Sequence, residues 1–154
     1  MTKTIYTLTL ALFLTLSLIS CAVAQEQGER LEAVLPNDLE WEANPDVEGV
    51  QNASAAIGDL SQPGLYASFG KMAQGVIFPA HTHPDGRLTT VVSGVMYLGI
   101  GEVAEETDFQ AYPAGSVVYT PAGTPHIMWA KDGEIIVQEA GFGPSGAEFV
   151  SDVQ

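Results

Sequence analysis

The chain is poor in cysteine and in positive charge, and each shortage closes off some chemistry. Among 154 residues there is one cysteine, Cys21, so no disulfide can form within the chain and no thiolate cluster can hold a metal. Five Lys and Arg stand against 19 Asp and Glu, a formal charge of −14. Such a surface repels phosphate backbones and anionic lipid, so nucleic acid is excluded as a partner, and like charge keeps the protein soluble. Long helical periodicity is missing, as are a nucleophile triad, an acid/base pair and a phosphate loop. "GIGEVA", residues 99–104, has part of a glycine-loop look with no helix to follow it. Histidine is scarce too: there are three, His81, His83 and His126.

The one long apolar run lies at the start. Residues 1–24 read as an export signal: a weakly basic opening with Lys3, an apolar stretch from Ile5 to Ile19, and small residues ending in Ala22 and Ala24 before Gln25. That stretch falls short of the roughly 20 residues a membrane span needs. A second reading competes with simple secretion. "LISC", Leu18 to Cys21, resembles the bacterial lipobox, whose cysteine becomes the lipidated first residue of a membrane-anchored lipoprotein. Both readings place the protein outside the cytoplasm, periplasmic or extracellular, with no membrane contact unless Cys21 is lipidated. Cleavage after Ala24 removes Cys21 and Lys3, leaving four basic residues against 19 acidic ones. Metal ligands must then be His, Asp or Glu.

Residues 25–35 predict a flexible segment with one helical turn, since Leu31, Val34 and Leu35 recur at helical spacing. From Pro36 the texture changes, and 36–154 reads as a single domain with apolar residues enough for one small core. Short segments rich in Val, Ile, Tyr, Phe and Thr alternate with Gly, Pro, Asn and Asp. Strands are predicted at 50–57, 65–73, 76–80, 88–93, 95–101, 109–112, 116–120, 125–130 and 134–141, with a weaker one at 147–150. Many short strands with frequent turns and no long helix mean an all-β sandwich or barrel. Alternation assigns faces. Met96, Leu98 and Ile100 share one, as do His126 and Met128, while Ile136 and Gln138 oppose Ile135, Val137 and Glu139.

His-x-His on a strand aims two imidazoles at one space, about 7 Å apart. Two nitrogens with metal bonds of about 2.0–2.1 Å can meet at one ion there. His126 opens another strand after the turn "PAGTP", and strand pairing can bring it opposite the pair. Gln138, Tyr66, Tyr97 and Tyr119 are further candidates to line a cavity, Gln138 because a buried amide needs a partner that a ligand would supply.

Two stretches resemble the signature motifs of the cupin superfamily, small jelly-roll barrels that hold a metal between their sheets. In "GVIFPAHTHPDGRLTTVVSG", Gly75, His81, His83 and Gly94 fall in register with G-x5-H-x-H-x3-E-x6-G. In "GSVVYTPAGTPHIMWA", Gly115, Pro121, Gly123 and His126 fall in register with G-x5-P-x-G-x2-H-x3-N. The resemblance covers residues 75–130. It implies an all-β cupin jelly roll, one divalent metal ion on His81, His83 and His126, and turns at Gly94, Gly115 and Gly123 with positive φ. A homodimer is implied by the same analogy.

The sequence departs from the motifs at Arg87, where a glutamate ligand is usual, and at Ala130, where asparagine is. The remaining neutral three-His set is similar to that of some iron-dependent oxygenases in the superfamily, yet imidazole equally suits Zn, Mn, Cu or Ni. A guanidinium aimed at a divalent ion about 5 Å away costs roughly 6–7 kcal/mol at an effective dielectric near 20. Three roles for Arg87 stay open: turned outward onto an acid such as Asp85, closed on an anionic substrate, or part of a plain pocket without metal. Asp85 or Glu139 could stand in for the missing ligand, and Arg87→Glu would restore the usual set. The expected function is an oxygenase-type oxidoreductase acting on a small anionic or phenolic molecule that Arg87 and Gln138 help to bind. The alternative is a non-catalytic extracytoplasmic module for a small molecule or metal.

Overall fold

Eleven strands pair into two antiparallel sheets in the computed structural model, which describes residues 31–150. The signal or lipobox reading and residues 25–30 lie outside the described residues. In chain order the strands are β1 (Glu42–Ala43), β2 (Val50–Ile57), β3 (Gly64–Met72), β4 (Ile77–Thr82), β5 (Arg87–Ser93), β6 (Val95–Ile100), β7 (Gln110–Pro113), β8 (Val117–Thr120), β9 (His126–Trp129), β10 (Ile135–Gly143) and β11 (Glu148–Phe149). The six-stranded sheet runs β1-β2-β3-β10-β5-β8 and the five-stranded sheet β11-β4-β9-β6-β7. This is an all-β jelly roll. Among the described residues no helix is long and apolar enough to cross a membrane.

The predicted strands from 50–57 onward coincide with β2 to β11 to within a few residues. Exposed β1 carries no apolar pattern from which a strand is predicted. The predicted helical turn moves: residues 31–35 hold no helix, and a 3-10 turn forms at Pro36–Asp38 instead. Pro36 suits a first helical position because its missing N–H would find no partner there. Leu31 and Leu35 are exposed, so their spacing lines up no buried stripe.

The core forms where the inward faces of both sheets meet. Val50, Met72, Val91, Val137 and Ile135 from the larger sheet pack with Met96, Leu98 and Met128 from the smaller one. Met96, Leu98 and Met128 therefore face inward as alternation required, with β6 and β9 paired Leu98 to Met128. Ile100 shares their parity but lies at the end of β6 and is largely exposed.

Glycine conformations fix the turns between these strands. Gly75, Gly94, Gly115 and Gly123 all have positive φ, between 69° and 89°. Gly94 closes the β5–β6 corner, where a Cβ would stand 2.4 Å from the Glu134 carbonyl oxygen. Gly123 has open space around its Cα. Gly123→Ala is therefore expected to cost only the left-handed backbone penalty, about 1–2 kcal/mol, while Gly94→Ala adds a backbone clash and costs more. Urea denaturation of the two variants should rank them in that order.

Candidate metal centre

Three different local devices bring the histidines together. His81 comes from β4, whose ladder with β9 is irregular between Phe78 and His81. Pro79, with no N–H to give the ladder, sits in that irregularity. The extra residue lets Phe78 and His81, three apart, both line one cavity. His126 is the register partner of His81 across β4 and β9, so its ring lies beside that of His81 by strand pairing alone. His83 stands just past the end of β4, and the Gly123 N–H donates to its carbonyl at 2.8 Å. The glycine turn before β9 thus clamps the backbone of the histidine after β4.

The rings converge, with centroid separations of 4.7 Å for His81–His83, 4.1 Å for His81–His126 and 5.1 Å for His83–His126. Each residue offers one ring nitrogen within 4.8 Å of the others, and all three side chains are buried. In each ring Nδ1 lies against a backbone carbonyl: Pro79 at 2.8 Å for His81, Gly146 at 2.6 Å for His83 and Thr124 at 2.9 Å for His126. A carbonyl only accepts, so each Nδ1 carries the proton and each Nε2 keeps its lone pair. The His83 Nε2 is buried with no hydrogen-bond partner. An orphaned acceptor in a cluster of bare imidazole nitrogens fits a divalent metal ion, and second partners that fix the tautomer are what such ligands need.

Residues 68–137, which include all three histidines, are matched as a cupin domain by the family model. The polyketide cyclase RemF from Streptomyces resistomycificus is similar in structure, with TM-score 0.62 at 16% identity over 80% of this chain and 89% of that one. The lyase for DMSP, DddQ, from Ruegeria pomeroyi has TM-score 0.62 at 15% identity, covering 77% and 64% of the two chains. Salicylate 1,2-dioxygenase from Pseudoaminobacter salicylatoxidans has TM-score 0.57 at 11% identity, covering 72% of this chain and 31% of the enzyme. Likeness at these identities is likeness of fold, and the fold serves several chemistries. No curated protein is a significant match to the sequence.

Arg87 departs from the cupin motif, and of the three roles left open it takes the pairing with Asp85 without turning outward. It shares the inward parity of Thr89 and Val91 on β5 and is only 4% exposed. Its Nη2 donates to Asp85 Oδ1 and its Nη1 to Glu139 Oε2, both at 3.0 Å. Asp85 is buried as well and also accepts from the Tyr66 hydroxyl at 2.6 Å and from Ser145 at 2.6 Å. Burial alone would raise the Asp85 carboxyl, but the bonds from Ser145, Tyr66 and Arg87 outweigh it and hold the group below its ordinary range. Burial and the bond to Asp85 push Tyr66 up to about 12, so its phenol stays a donor. Because Asp85 and Glu139 both converge on the guanidinium, Arg87→Glu would leave three carboxylates facing one another rather than complete a ligand set.

The cavity is about 320 Å³, with His81, His83, Arg87 and Glu139 on one side and Phe78, Met72, Met128 and Phe149 among its apolar walls. Gln138 does not line it. On β10 the inward parity belongs to Ile135, Val137 and Glu139, so Gln138 lies on the outer face in register with Thr90. Of the other candidate polar groups, Tyr119 is exposed and Tyr97 bonds Asp132 on the surface. Glu139 and Ser145 were the site residues whose roles the sequence did not resolve. The parity of Glu139 with Val137 was the available signal for the first, and none existed for the second.

Burial, then the charge of neighbouring His126, pushes His81 from 6.5 down to about 3; burial and Arg87 lower His83, and burial lowers His126. The folded protein thus keeps His81 neutral where the unfolded chain takes up a proton. Its contribution is present in full above pH 6.5 and is lost as pH falls from there towards 3. Metal-free protein should lose roughly 2 kcal/mol through His81 alone between about pH 6.5 and pH 5. Urea midpoints across that range test this, and His81→Ala should show a shallower slope.

Proposed function

We propose that this protein is an exported metal-dependent oxidoreductase of the oxygenase type, with one divalent ion on His81, His83 and His126 and a small phenolic substrate. The observation that carries the reading is the ring cluster: three buried rings, each with Nδ1–H committed to a carbonyl and each offering a ring nitrogen within 4.8 Å of the others. A bound iron, copper or nickel ion supplies redox activation of O₂ alongside a chelating substrate, and zinc would supply Lewis acidity alone. The salicylate dioxygenase with gentisate adducts shares the fold and makes that substrate class a sensible one to test first.

The chain's own residues shape what can enter. The apolar walls, Phe78 and Phe149 stacked at 5.5 Å among them, take an aromatic or aliphatic body and keep water from the reacting end. Arg87 is already met by two carboxylates, so it is a poor clamp for an anion. Glu139 Oε2 is held by Arg87, while Oε1 has only a long 3.5 Å contact with Thr89. Oε1 is therefore placed to accept a hydrogen bond, or a proton, from a substrate hydroxyl.

Natively purified protein is expected to carry close to one transition-metal ion per chain by elemental analysis, and His81→Ala, His83→Ala and His126→Ala to lose it. Unchanged metal content in those variants removes the ligand set. O₂ uptake with a panel of catechols and hydroxybenzoates tests the reaction. Bound metal and ligand affinity without O₂ uptake would make the protein a binding module, the second reading.

The same reading includes a homodimer. The outer face of the six-stranded sheet presents exposed Leu65, Phe142, Leu88, Tyr119 and Val117, with Leu65 paired to Phe142 and Leu88 to Tyr119. Along β5, β8 and β10 that face carries no charged residue, in a chain with 19 acids. Two copies can approach through this uncharged face without like-charge repulsion, and two such faces bury one another. Light scattering should give a dimer mass for the wild type and a monomer mass for Leu88→Glu with Phe142→Glu.

A further inference from the structure

The three Nδ1 bonds differ in one respect. His81 and His126 each bond the carbonyl two residues earlier in their own strand approach, Pro79 and Thr124. Their tautomers are set locally, by the same backbone that carries the ring. His83 instead bonds Gly146, 63 positions away in the segment between β10 and β11. That segment belongs to no sheet, so something else must hold its carbonyl in place.

The Ser145 N–H donates to the Leu60 carbonyl at 2.6 Å, and the side chain that holds the segment is Arg87. Its Nη2 donates to Ser145 Oγ at 2.5 Å and reaches the Gly146 carbonyl itself at 3.4 Å. Ser145 in turn donates to Asp85 Oδ1, the carboxylate that also pairs with Arg87. Nη1 ties the assembly to Glu139 on β10. Gly141 leaves room for this knot, because a Cβ there would stand 2.5 Å from Asp85 Oδ2 and 2.6 Å from the Tyr66 hydroxyl oxygen.

We propose that Arg87 is a positioning residue for His83: by fixing Ser145 and Gly146 it locks the His83 proton on Nδ1 and presents Nε2 to the cavity. The planar guanidinium is required because it reaches acceptors on three chain segments at once, which a single ammonium nitrogen cannot do. An imidazole released from its carbonyl reverts towards the Nε2–H form that it prefers in water, and that form cannot ligate through Nε2. The role bears on function by resting on the proposed metal centre, but the tautomer can be read without a metal.

The test is the long-range ¹H–¹⁵N spectrum of metal-free, ¹⁵N-labelled protein at neutral pH, which reports the proton position in each ring. Wild type should show three Nδ1–H rings. In Arg87→Met, His83 alone should move towards Nε2–H, with His81 and His126 unchanged, and Arg87→Lys should not restore it. Ser145→Ala, which keeps the charge network, should move His83 the same way and carries the test if Arg87→Met does not fold. Zn²⁺ affinity by chelator competition should fall about 10–100-fold in each. His83 remaining Nδ1–H in these variants, or all three rings shifting together, would overturn the proposal. Wild type that binds no Zn²⁺ while His83 still responds would overturn the metal reading and leave the positioning role standing.

Discussion

Three imidazoles packed ring against ring must stay uncharged, and the rest of this protein is arranged around that constraint. Protonating one would set a cation among buried neighbours and next to Arg87, which is why burial and the guanidinium both press the histidines towards neutrality. Neutral rings each have one donor and one acceptor. Backbone carbonyls consume the donors, and the acceptors are left pointing at a shared space where a cation would repay their desolvation. His83 Nε2, buried without a partner, is the visible remainder of that balance.

Arg87 poses the opposite problem, a fixed charge that cannot be neutralised by losing its proton. The fold answers with two carboxylates, Asp85 from the preceding turn and Glu139 from the adjacent strand. One cation between two anions leaves the group net negative, so a divalent ion nearby feels far less repulsion than a bare guanidinium would exert. Buried pairs of this kind contribute little net stability over well-packed apolar residues, but removing one member is costly. Their value here is geometric: the knot ties β5, β10 and the segment before β11 to a common point beside the cavity. A motif position usually given to a ligand here joins β5 to the segment whose Gly146 carbonyl meets His83.

Much of the fold was legible because strand physics is local. Alternation placed Met96, Leu98 and Met128 inside, and turn residues marked nearly every strand boundary. Alternation also held the answer for β10, where Glu139 shares parity with Val137. Gln138, an amide among apolar residues that needs a partner, lies on the other side of that strand, in register with Thr90. No helix forms at residues 31–35, where the apolar spacing lines up no buried stripe.

From the sequence alone came the strand pattern, the glycine turns and the three residues able to serve as neutral ligands, because each depends on residues close together in the chain. Tertiary structure decided where Arg87 points, which carboxylates meet it, and that the Gly146 carbonyl rather than a local one fixes His83. Apart from the local pair of Arg87 with Asp85, those outcomes depend on contacts across 52 to 63 positions. A side chain's partner at such range is chosen by sheet register and by the path of an irregular segment, and neither is written in the spacing of residue types.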